Sequence, residues 1–245
     1  MTMTHLHRTV LASALALGSL ALLPAAHADD FPKNIVYLGA AYLNNHSSLP
    51  NLSGYNTPPN LNLAVGNATT LGLGYVRNLP GPWSFELALG YPPRVRTYAE
   101  GSGWGSLARA GVTDVDVYSP TAFINYHIRG KEATWDPFVG LGLNYTWFRN
   151  NTALQPLKDD LRTNQVDIHL SSNWALAAHV GMIYRLNSRW SVVGTIAYAD
   201  VRSDLTTTSY QNAPPGSSER VITSQAKTTI KFNPVIYTLA VGYSF

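Results

Sequence analysis

Large apolar residues alternate with small ones along several stretches of this chain, which is the period of a β-strand with one apolar face. The clearest stretch is the last, where every second position from Val235 to Phe245 holds a large apolar or aromatic residue. The positions between them, from Ile236 to Ser244, are small or of middling size. Terminal residues fray unless a sheet holds them, so we expect this strand to close a sheet on itself.

Eight segments share the alternation and are predicted to be strands. They span residues 35–44, 68–78, 83–91, 117–128, 138–148, 174–184, 190–198 and 235–245. The links after the second, fourth and sixth strands have about three to seven residues and the others roughly ten to 25, which is typical of outer-membrane barrels. The predicted fold is therefore all-β: an eight-stranded antiparallel, up-and-down transmembrane β-barrel with its short turns in the periplasm.

Composition favours a wall that faces lipid. Charged residues make up 13% of the chain, about half the usual share in a soluble domain. Aromatic residues reach 11% and recur at the strand ends, as in the girdles at the two membrane interfaces. The alternative is an exported soluble barrel or sandwich, but its solvated face would be the Gly/Ala/Thr face, which is poor in charge for that role.

The N-terminal residues have the pattern of a secretory signal. A weakly positive start with Arg8 precedes an apolar run over residues 10–23, and Ala26-His27-Ala28 supplies the small residues of a cleavage site. The alternative is a membrane anchor, but a spanning helix needs about 20 apolar residues. We expect residues 1–28 to be a cleaved signal peptide and residues 29–245 to be one barrel domain.

Several classes of function do not fit the composition. The chain has no cysteine, so disulfides and zinc–thiolate sites are excluded. Its net charge is only +3 and no basic run stands out, so no nucleic-acid partner is predicted. No other histidine or acid stands at metal-ligand spacing to His127 or His179, and neither a metal nor a cofactor is predicted.

Motifs spread over most of the mature chain resemble those of the OmpW family. The segments are Trp83 to Leu87, Ser119-Pro-Thr121, Asp136-Pro-Phe-Val-Gly-Leu-Gly-Leu-Asn-Tyr-Thr-Trp-Phe148, Tyr198-Ala-Asp-Val201, and Asn233-Pro-Val with the closing Gly-Tyr-Ser-Phe245. The resemblance implies an eight-stranded outer-membrane barrel with an apolar interior, implicated in the uptake of small hydrophobic compounds. The chain end also resembles the assembly signal of bacterial outer-membrane barrels, with Tyr243 and Phe245 as its aromatic residues.

Alternation assigns an inner face that is rich in small residues and short of charge. An eight-stranded barrel is just wide enough to be filled by side chains or to hold one small ligand, and an apolar wall suits an apolar or amphipathic ligand. The residues predicted to line a ligand path through the lumen are Glu86, Ala88, Phe123, Asn125, His179, Val193, Ala197, Ile236 and Thr238.

Titratable residues on the inner face allow two interpretations each. Glu86 either orients or gates a ligand, or forms a structural ion pair with an inward Arg or Lys. His127 and His179 are either pH-responsive groups or hydrogen-bonded wall residues. Asp200 is expected to anchor a strand end.

Two features lie near the outer end of the third strand. Arg94 and Arg96 either contact lipopolysaccharide phosphates or form a solvated rim. Pro92 and Pro93 cannot donate ladder hydrogen bonds, so we expect a break there. Such a break would open a lateral path from the lumen into the membrane.

The long loops carry leucines that either form an apolar funnel above the barrel or simply pack loop against loop. These are Leu49, Leu52, Leu61, Leu63, Leu154 and Leu157. We predict a monomeric or weakly associating channel for passive uptake of small hydrophobic molecules, in contact with outer-membrane lipid and lipopolysaccharide.

Two other functions were weighed against this channel. One is a structural or adhesive barrel with a closed lumen and partner-binding loops. The other is a lipid-acting enzyme, which needs a Ser/His/acid group. The sequence does not place His46, His127 or His169 with such partners, so no enzymatic activity is predicted.

Overall fold

The computed structural model describes residues 32–47, 49–163, 165–211 and 220–245. The predicted signal peptide lies outside the described residues. Two short helices are a 3₁₀-helix, Ser102–Leu107, and α1, Gln155–Asp160, and no helix in the described ranges is long and apolar enough to cross a membrane. The strands are β1 (Asn34–Asn45), β2 (Ser53–Tyr55), β3 (Asn62–Val65), β4 (Ala68–Asn78), β5 (Trp83–Gly90), β6 (Arg94–Glu100), β7 (Gly111–Tyr118), β8 (Thr121–His127), β9 (Trp135–Ala153), β10 (Val166–Leu170), β11 (Asn173–Arg185), β12 (Trp190–Ala199), β13 (Val201–Tyr210), β14 (Ile222–Phe232) and β15 (Pro234–Ser244).

Eight of these strands form a closed antiparallel ring in the order β1-β4-β5-β8-β9-β11-β12-β15. The ring closes because β15 pairs with both β12 and β1. Leu38 of β1, for example, lies between Val241 of β15 and Leu73 of β4. The predicted eight-stranded barrel is confirmed.

The two chain ends of the barrel are tied together by backbone hydrogen bonds. The Phe245 N–H donates to the Asn34 carbonyl at 2.9 Å, and the Asn34 N–H donates to the Phe245 carbonyl at 3.0 Å. The Tyr243 ring lies between those of Trp190 and Phe245, with centroid distances of 5.1 and 6.4 Å. The last strand therefore contributes to the ladder up to its final residue.

The outer face of the ring is apolar and exposed, as alternation predicts. Leu141 and Leu176 are 74% and 75% exposed. Aromatic pairs mark the end with the short connections, which we call the turn end (residues 79–82, 128–134 and 186–189), and the opposite end, which we call the loop end. They are Trp83–Tyr126 and Trp190–Tyr243 at the turn end, and Tyr42–Tyr237 and Tyr145–Trp174 at the loop end.

The long connections, which were predicted to be loops, contain strands that extend above the ring. β9 runs beyond the ring and pairs with β7, which continues to β6 and β3. A second sheet, β10-β13-β14-β2, stands beside it. These strands carry charged side chains on their outward face, such as Arg94 and Arg96 of β6, so their alternation lacks the contrast of a lipid-facing strand.

The predicted fourth strand, 117–128, is split in the structure. β7 ends at Tyr118 and β8 begins at Thr121, with Ser119 and Pro120 between them. A proline has no N–H to donate to a ladder and is confined to strand ends and edges. The same reason ends β5 at Gly90, before the proline pair.

We predict that Phe245→Ala lowers the amount of folded barrel in the outer membrane severalfold. The ladder bonds of Phe245 are made by its backbone, so the purified variant refolded in lipid should keep a stability within about 0.5 kcal/mol of the natural protein. The amount of folded barrel in cells is read from its heat-dependent electrophoretic mobility. The stability of the purified variant is measured as the free energy of unfolding in lipid by urea titration.

Val241→Ala, which removes a lipid-facing side chain from the same strand, is the control for a general loss of apolar surface. Equal folded amounts for Phe245→Ala and the natural protein in cells would contradict an assembly role for the terminal aromatic residue.

Candidate functional site

The two loop-end sheets enclose a cavity of about 340 Å³, which we call the loop-end cavity. One side is apolar and includes four of the leucines predicted to form a funnel. The other side carries hydroxyl groups from β13 and β14. The lining residues are Leu52, Asn56, Thr57, Pro58, Leu61, Leu63, Gly103, Trp104, Val112, Thr113, Leu157, Asp160, Leu161, Leu205, Thr207, Ser209, Thr223, Ser224 and Ala226.

The loop-end cavity narrows toward the barrel into a throat with a volume of about 20 Å³. The throat shares Leu63, Thr113 and Leu205 with the cavity above it. Its deepest part includes the rings of Phe148 and Phe232, whose centroids lie 5.7 Å apart. Phe232 also packs against the apolar cluster inside the barrel, so the bottom of the throat borders the barrel interior.

Four inward side chains in the middle of the barrel keep some accessible surface. Ala88, Ala197, Ile236 and Thr238 lie on the inner face of the ring by register, yet all four are only half-buried. A side chain that faces the inside of a closed ring keeps accessible surface only where the ring is not filled. We call this level the mid-lumen.

Below the mid-lumen, a polar network fills the barrel. Glu86 is 2% exposed and its carboxylate accepts hydrogen bonds from the Tyr37 hydroxyl at 2.6 Å and the Asn125 Nδ2 at 2.7 Å. Asn125 Oδ1 in turn accepts from His179 Nε2 at 2.7 Å. The His179 ring stacks on Phe123 with centroids 3.8 Å apart. Each polar group therefore has a partner, which burial of polar groups requires.

This network needs glycine at two positions of the wall, one on β9 and one on β4. A side chain at Gly140 would collide with Asn125 Oδ1 and His179 Nε2, and one at Gly74 would collide with the Tyr37 ring. The glycines provide the room in which the four polar side chains cross the barrel.

A second network lies closer to the turn end. The His127 Nδ1 lies 2.9 Å from Asp136 Oδ2, and its Nε2 lies 2.8 Å from the Ser84 hydroxyl. Arg185 Nη2 donates to the same Asp136 oxygen at 3.1 Å. We call the two networks together, with the apolar residues packed around them, the plug. The apolar residues are Ile35, Val76, Phe138, Ile183, Val193 and Ala240.

Ser84, His127 and Asp136 have the connectivity of a nucleophile, its base and the acid that orients the base. The sequence analysis did not place His127 with such partners. It is brought there because the three residues lie on the inner faces of β5, β8 and β9 at the same end of the ring. Ser84 is 0% exposed, so its hydroxyl cannot meet a substrate in this conformation. The arrangement supports a structural role for these residues.

The barrel wall is interrupted near the loop end, as the proline pair predicted. The last pair of the β5–β8 ladder is Ala88 with Thr121, and the next pair along the same edge is Arg94 with Asp116 of the β6–β7 ladder. Between these pairs the Val117 N–H donates to the Pro93 carbonyl at 3.1 Å. No strand pairing joins residues 89–92 to 118–120 in the described structure, and we call this interval the wall gap. It opens at the level of the mid-lumen, next to Ala88.

Comparisons with known proteins agree with this architecture. The model of the OmpW family matches residues 36–245, which covers the ring except for the first two residues of β1. The chain belongs to the OmpW family. Outer membrane protein W of Vibrio cholerae is 31% identical over 185 residues, covering 75% of this chain and 76% of its own. Outer membrane protein AlkL of Ectopseudomonas oleovorans is 27% identical over 187 residues, or 76% and 70% of the two chains.

The fold is also that of a solved structure. The outer membrane protein OprG from Pseudomonas aeruginosa superposes with a TM-score of 0.72, covering 87% of this chain and 96% of its own at 22% sequence identity. The OmpW family and the relatives named outer membrane protein W and AlkL place the protein in the bacterial outer membrane. Short turns face the periplasm in such barrels, so the turn end with its plug is periplasmic and the loop-end cavity is extracellular.

The nine residues predicted to line a ligand path all lie on the inner face of this OmpW barrel. Glu86, Asn125 and His179 belong to the plug, with Phe123 stacked on it and Val193 packed among its apolar residues. The other four surround the mid-lumen. The predicted ion pair of Glu86 with an inward Arg or Lys is wrong, because its partners are Tyr37 and Asn125.

Sequence reasoning missed Tyr37, Ser84, Asp136 and Arg185 as lumen residues. Asp136 was included in a family motif but not assigned to the inner face. Alternation alone could have found it, because it precedes Phe138, Gly140 and Gly142 at even spacing. Asp200 does lie at a strand end, where its carboxylate accepts a hydrogen bond from Arg202 at 3.0 Å.

The two rim arginines share one aspartate. Arg96 donates to both oxygens of Asp114, at 2.8 and 2.9 Å, whereas Arg94 lies 3.6 Å from it and is more than half exposed. The hydrogen bonds from Arg96 hold the pKa of the Asp114 carboxyl below its ordinary value, against the effect of burial. Arg96 is therefore engaged within the protein, and Arg94 is the freer of the two.

We predict that Gly140→Ala destabilises the barrel by about 1–3 kcal/mol, the usual cost of overpacking a filled interior. The added methyl group would displace Asn125 or His179 and break the plug. The measurement is the free energy of unfolding in lipid by urea titration.

Gly194→Ala is the matched control, since a side chain at that position meets no atom within 4 Å. It should change the unfolding free energy by less than about 0.5 kcal/mol. Equal effects of the two substitutions would show that the plug does not depend on the space at Gly140.

We predict that Asp114 titrates below the ordinary aspartate value of about 3.9 and that Arg96→Gln raises its midpoint toward that value. A lowered pKa in the folded state means that the ion pair stabilises the β6–β7 hairpin at neutral pH and stops doing so as the pH falls through the folded pKa. Carboxyl-detected NMR titration measures both midpoints, and an unchanged midpoint in Arg96→Gln would contradict the assignment.

Proposed function

We propose that this outer-membrane barrel admits small hydrophobic molecules by passive diffusion, and that they leave sideways through the wall gap. The observation that carries the proposal is the stacking of an apolar cavity, a throat and an open mid-lumen above a filled periplasmic half. A molecule that enters from outside would meet apolar walls down to the mid-lumen and a hydrogen-bonded plug beyond it.

The cavity and throat suit an apolar passenger. Wide aqueous pores have polar interiors, whereas the throat lining consists of aliphatic and aromatic side chains with two threonines. Apolar surface leaves water favourably, at about 25 cal/mol for each Å² buried. Transfer from water into the loop-end cavity would therefore be downhill without any energy source.

The wall gap supports an exit into lipid. It lies beside Ala88 at the mid-lumen, above the plug, where a passenger would stop. A hydrophobic molecule would gain nothing from continuing through the plug to the aqueous periplasm. Lateral exit would deliver it to the lipid phase, in which it is most soluble.

We also propose that the barrel works as a monomer in contact with lipopolysaccharide. One chain closes the ring, so no partner strand is needed. Arg94 is exposed at the outer rim, and Arg149 lies 6.0 Å from the Tyr118 ring centroid on the neighbouring strand. These guanidinium groups have the chemistry of phosphate binding.

A structural or adhesive barrel is the second candidate, and the plug is the observation that favours it. A closed periplasmic half needs no passenger, and the loop-end sheets would serve as a binding surface. A channel requires an open mid-lumen, whereas a structural or adhesive barrel does not.

Replacing Ala197 by Trp distinguishes the uptake channel from the structural or adhesive barrel. Ala197 faces the mid-lumen, so the indole should block the path and reduce uptake of an apolar probe to the level of cells without the protein. The probes are deuterated n-decane and deuterated 1-decanol, measured by mass spectrometry in the inner-membrane fraction of intact cells. Ala88→Trp should act in the same way from the opposite wall.

Ala178→Trp is the matched control, because Ala178 lies on β11 and is exposed on the lipid-facing side of the ring. It should leave uptake unchanged. If Ala197→Trp folds and takes up both probes at the natural rate, the luminal path is wrong and the structural candidate is favoured.

A further inference from the structure

Two threonines interrupt the apolar lining of the throat. Thr97 of β6 and Thr113 of β7 are direct cross-strand partners. They are 7% and 8% exposed, and both line the throat. Thr113 also lines the loop-end cavity, so the pair lies where the two spaces meet.

Neither threonine hydroxyl has a hydrogen-bond partner among the described residues. Both hydroxyl oxygens keep some accessible surface, so each remains in contact with the space that it lines. Buried hydroxyls are normally paired, and leaving one unpaired is costly. A pair of unsatisfied hydroxyls in an aliphatic throat is therefore suited to a ligand that brings its own hydrogen-bonding group.

The charges around the two spaces limit what that group can be. Among the described residues that line them, the single charged one is Asp160 of the loop-end cavity, and no cationic residue lines either space. A carboxylate in the throat would have no counter-ion, and a buried unpaired charge is strongly disfavoured. An uncharged group, such as an alcohol, ketone or ester, avoids that penalty and can bond to a threonine hydroxyl.

We infer that Thr97 and Thr113 form a polar station that selects apolar molecules carrying one uncharged hydrogen-bonding group over hydrocarbons and over carboxylates. This inference rests on the proposed uptake function and narrows its substrate class. Thr207, farther up the cavity, adds a hydroxyl that also has no partner in the described part of the chain. A ligand can thus exchange one hydroxyl contact for the next on its way to the throat.

The test compares three deuterated probes of equal chain length, 1-decanol, n-decane and decanoate, in intact cells. The natural protein should raise 1-decanol uptake above that of cells without the protein by more than it raises n-decane uptake, and should leave decanoate uptake unchanged. Thr97→Val with Thr113→Val keeps the shape of the throat and removes both hydroxyls. It should lower 1-decanol uptake about fivefold, the effect expected for losing one uncharged hydrogen bond, and leave n-decane uptake as it was.

Two further variants separate recognition from damage. Thr97→Ser with Thr113→Ser keeps the hydroxyls and should retain the preference for 1-decanol. Thr206→Val makes the same chemical change at a β13 position that lines neither space and should have no effect. Heat-dependent electrophoretic mobility confirms that each variant is folded.

The outcomes are distinguishable. Equal changes in 1-decanol and n-decane uptake in the valine variant would overturn the polar station while leaving the uptake function intact. The same holds if decanoate is taken up as well as 1-decanol. If the natural protein raises the uptake of neither 1-decanol nor n-decane, the proposed function itself fails, and the inference falls with it.

Discussion

Backbone hydrogen bonding in lipid is the constraint on which this structure depends. A strand in the hydrocarbon region has no water to satisfy its N–H and C=O groups, so the sheet must close on itself. Here closure is completed by β15 between β12 and β1. With eight strands the interior is only wide enough for side chains or one small ligand. Whether a given level is open or filled is therefore decided by the size of a few inward residues.

At the periplasmic end, polar side chains fill the interior of the barrel. Glu86 and Asp136 are buried carboxylates, and each would be very costly without partners. Their hydrogen-bond partners come from two other strands in each case, so every bond to a carboxylate also fixes one strand against another. The glycines opposite them belong to the same solution, since Gly140 and Gly74 leave the space that the bonded side chains occupy. At Glu86, the same hydrogen bonds satisfy both carboxylate oxygens, fill the interior and hold the strands together. At Asp136, Oδ2 is bonded in this way, whereas Oδ1 has no hydrogen-bond partner among the described residues.

The strands of the ring were predictable because lipid imposes a strong signal on sequence. A lipid-facing position must be apolar, so Leu141 and Leu143 alternate with Gly140 and Gly142, and the inner and outer faces can be read directly. The loop-end strands give a weaker signal, because water faces them and tolerates Arg96 or Asp114 on the outside. Propensity alone could not distinguish them from polar loops.

The contacts of the site could not be predicted for a different reason. Glu86 finds Tyr37 49 residues away and Asn125 39 residues away, and Ser84 finds His127 43 residues away. Alternation tells which face a residue occupies, but a hydrogen bond also depends on height along the barrel. That height follows from strand stagger, which a single sequence does not reveal. The sequence therefore predicts which residues face the interior. It does not predict which of them fill the barrel and which line an open space.

The wall gap departs from the constraint of backbone pairing, and its residue composition reduces the cost. Pro92, Pro93 and Pro120 have no N–H groups, so the interruption contains fewer donors that lipid would leave unsatisfied. The carbonyls that it frees find other partners.

Asn144 Nδ2 lies 3.3 Å from the carbonyls of both Ser119 and Pro120, and the Thr70 hydroxyl donates to the Tyr91 carbonyl at 2.5 Å. On the far side, the Val117 N–H donates to the Pro93 carbonyl at 3.1 Å. The carbonyls of Tyr91, Pro93, Ser119 and Pro120 thus remain paired where the ladder is interrupted. An opening in the wall can thus persist in a membrane that penalises unpaired backbone everywhere else.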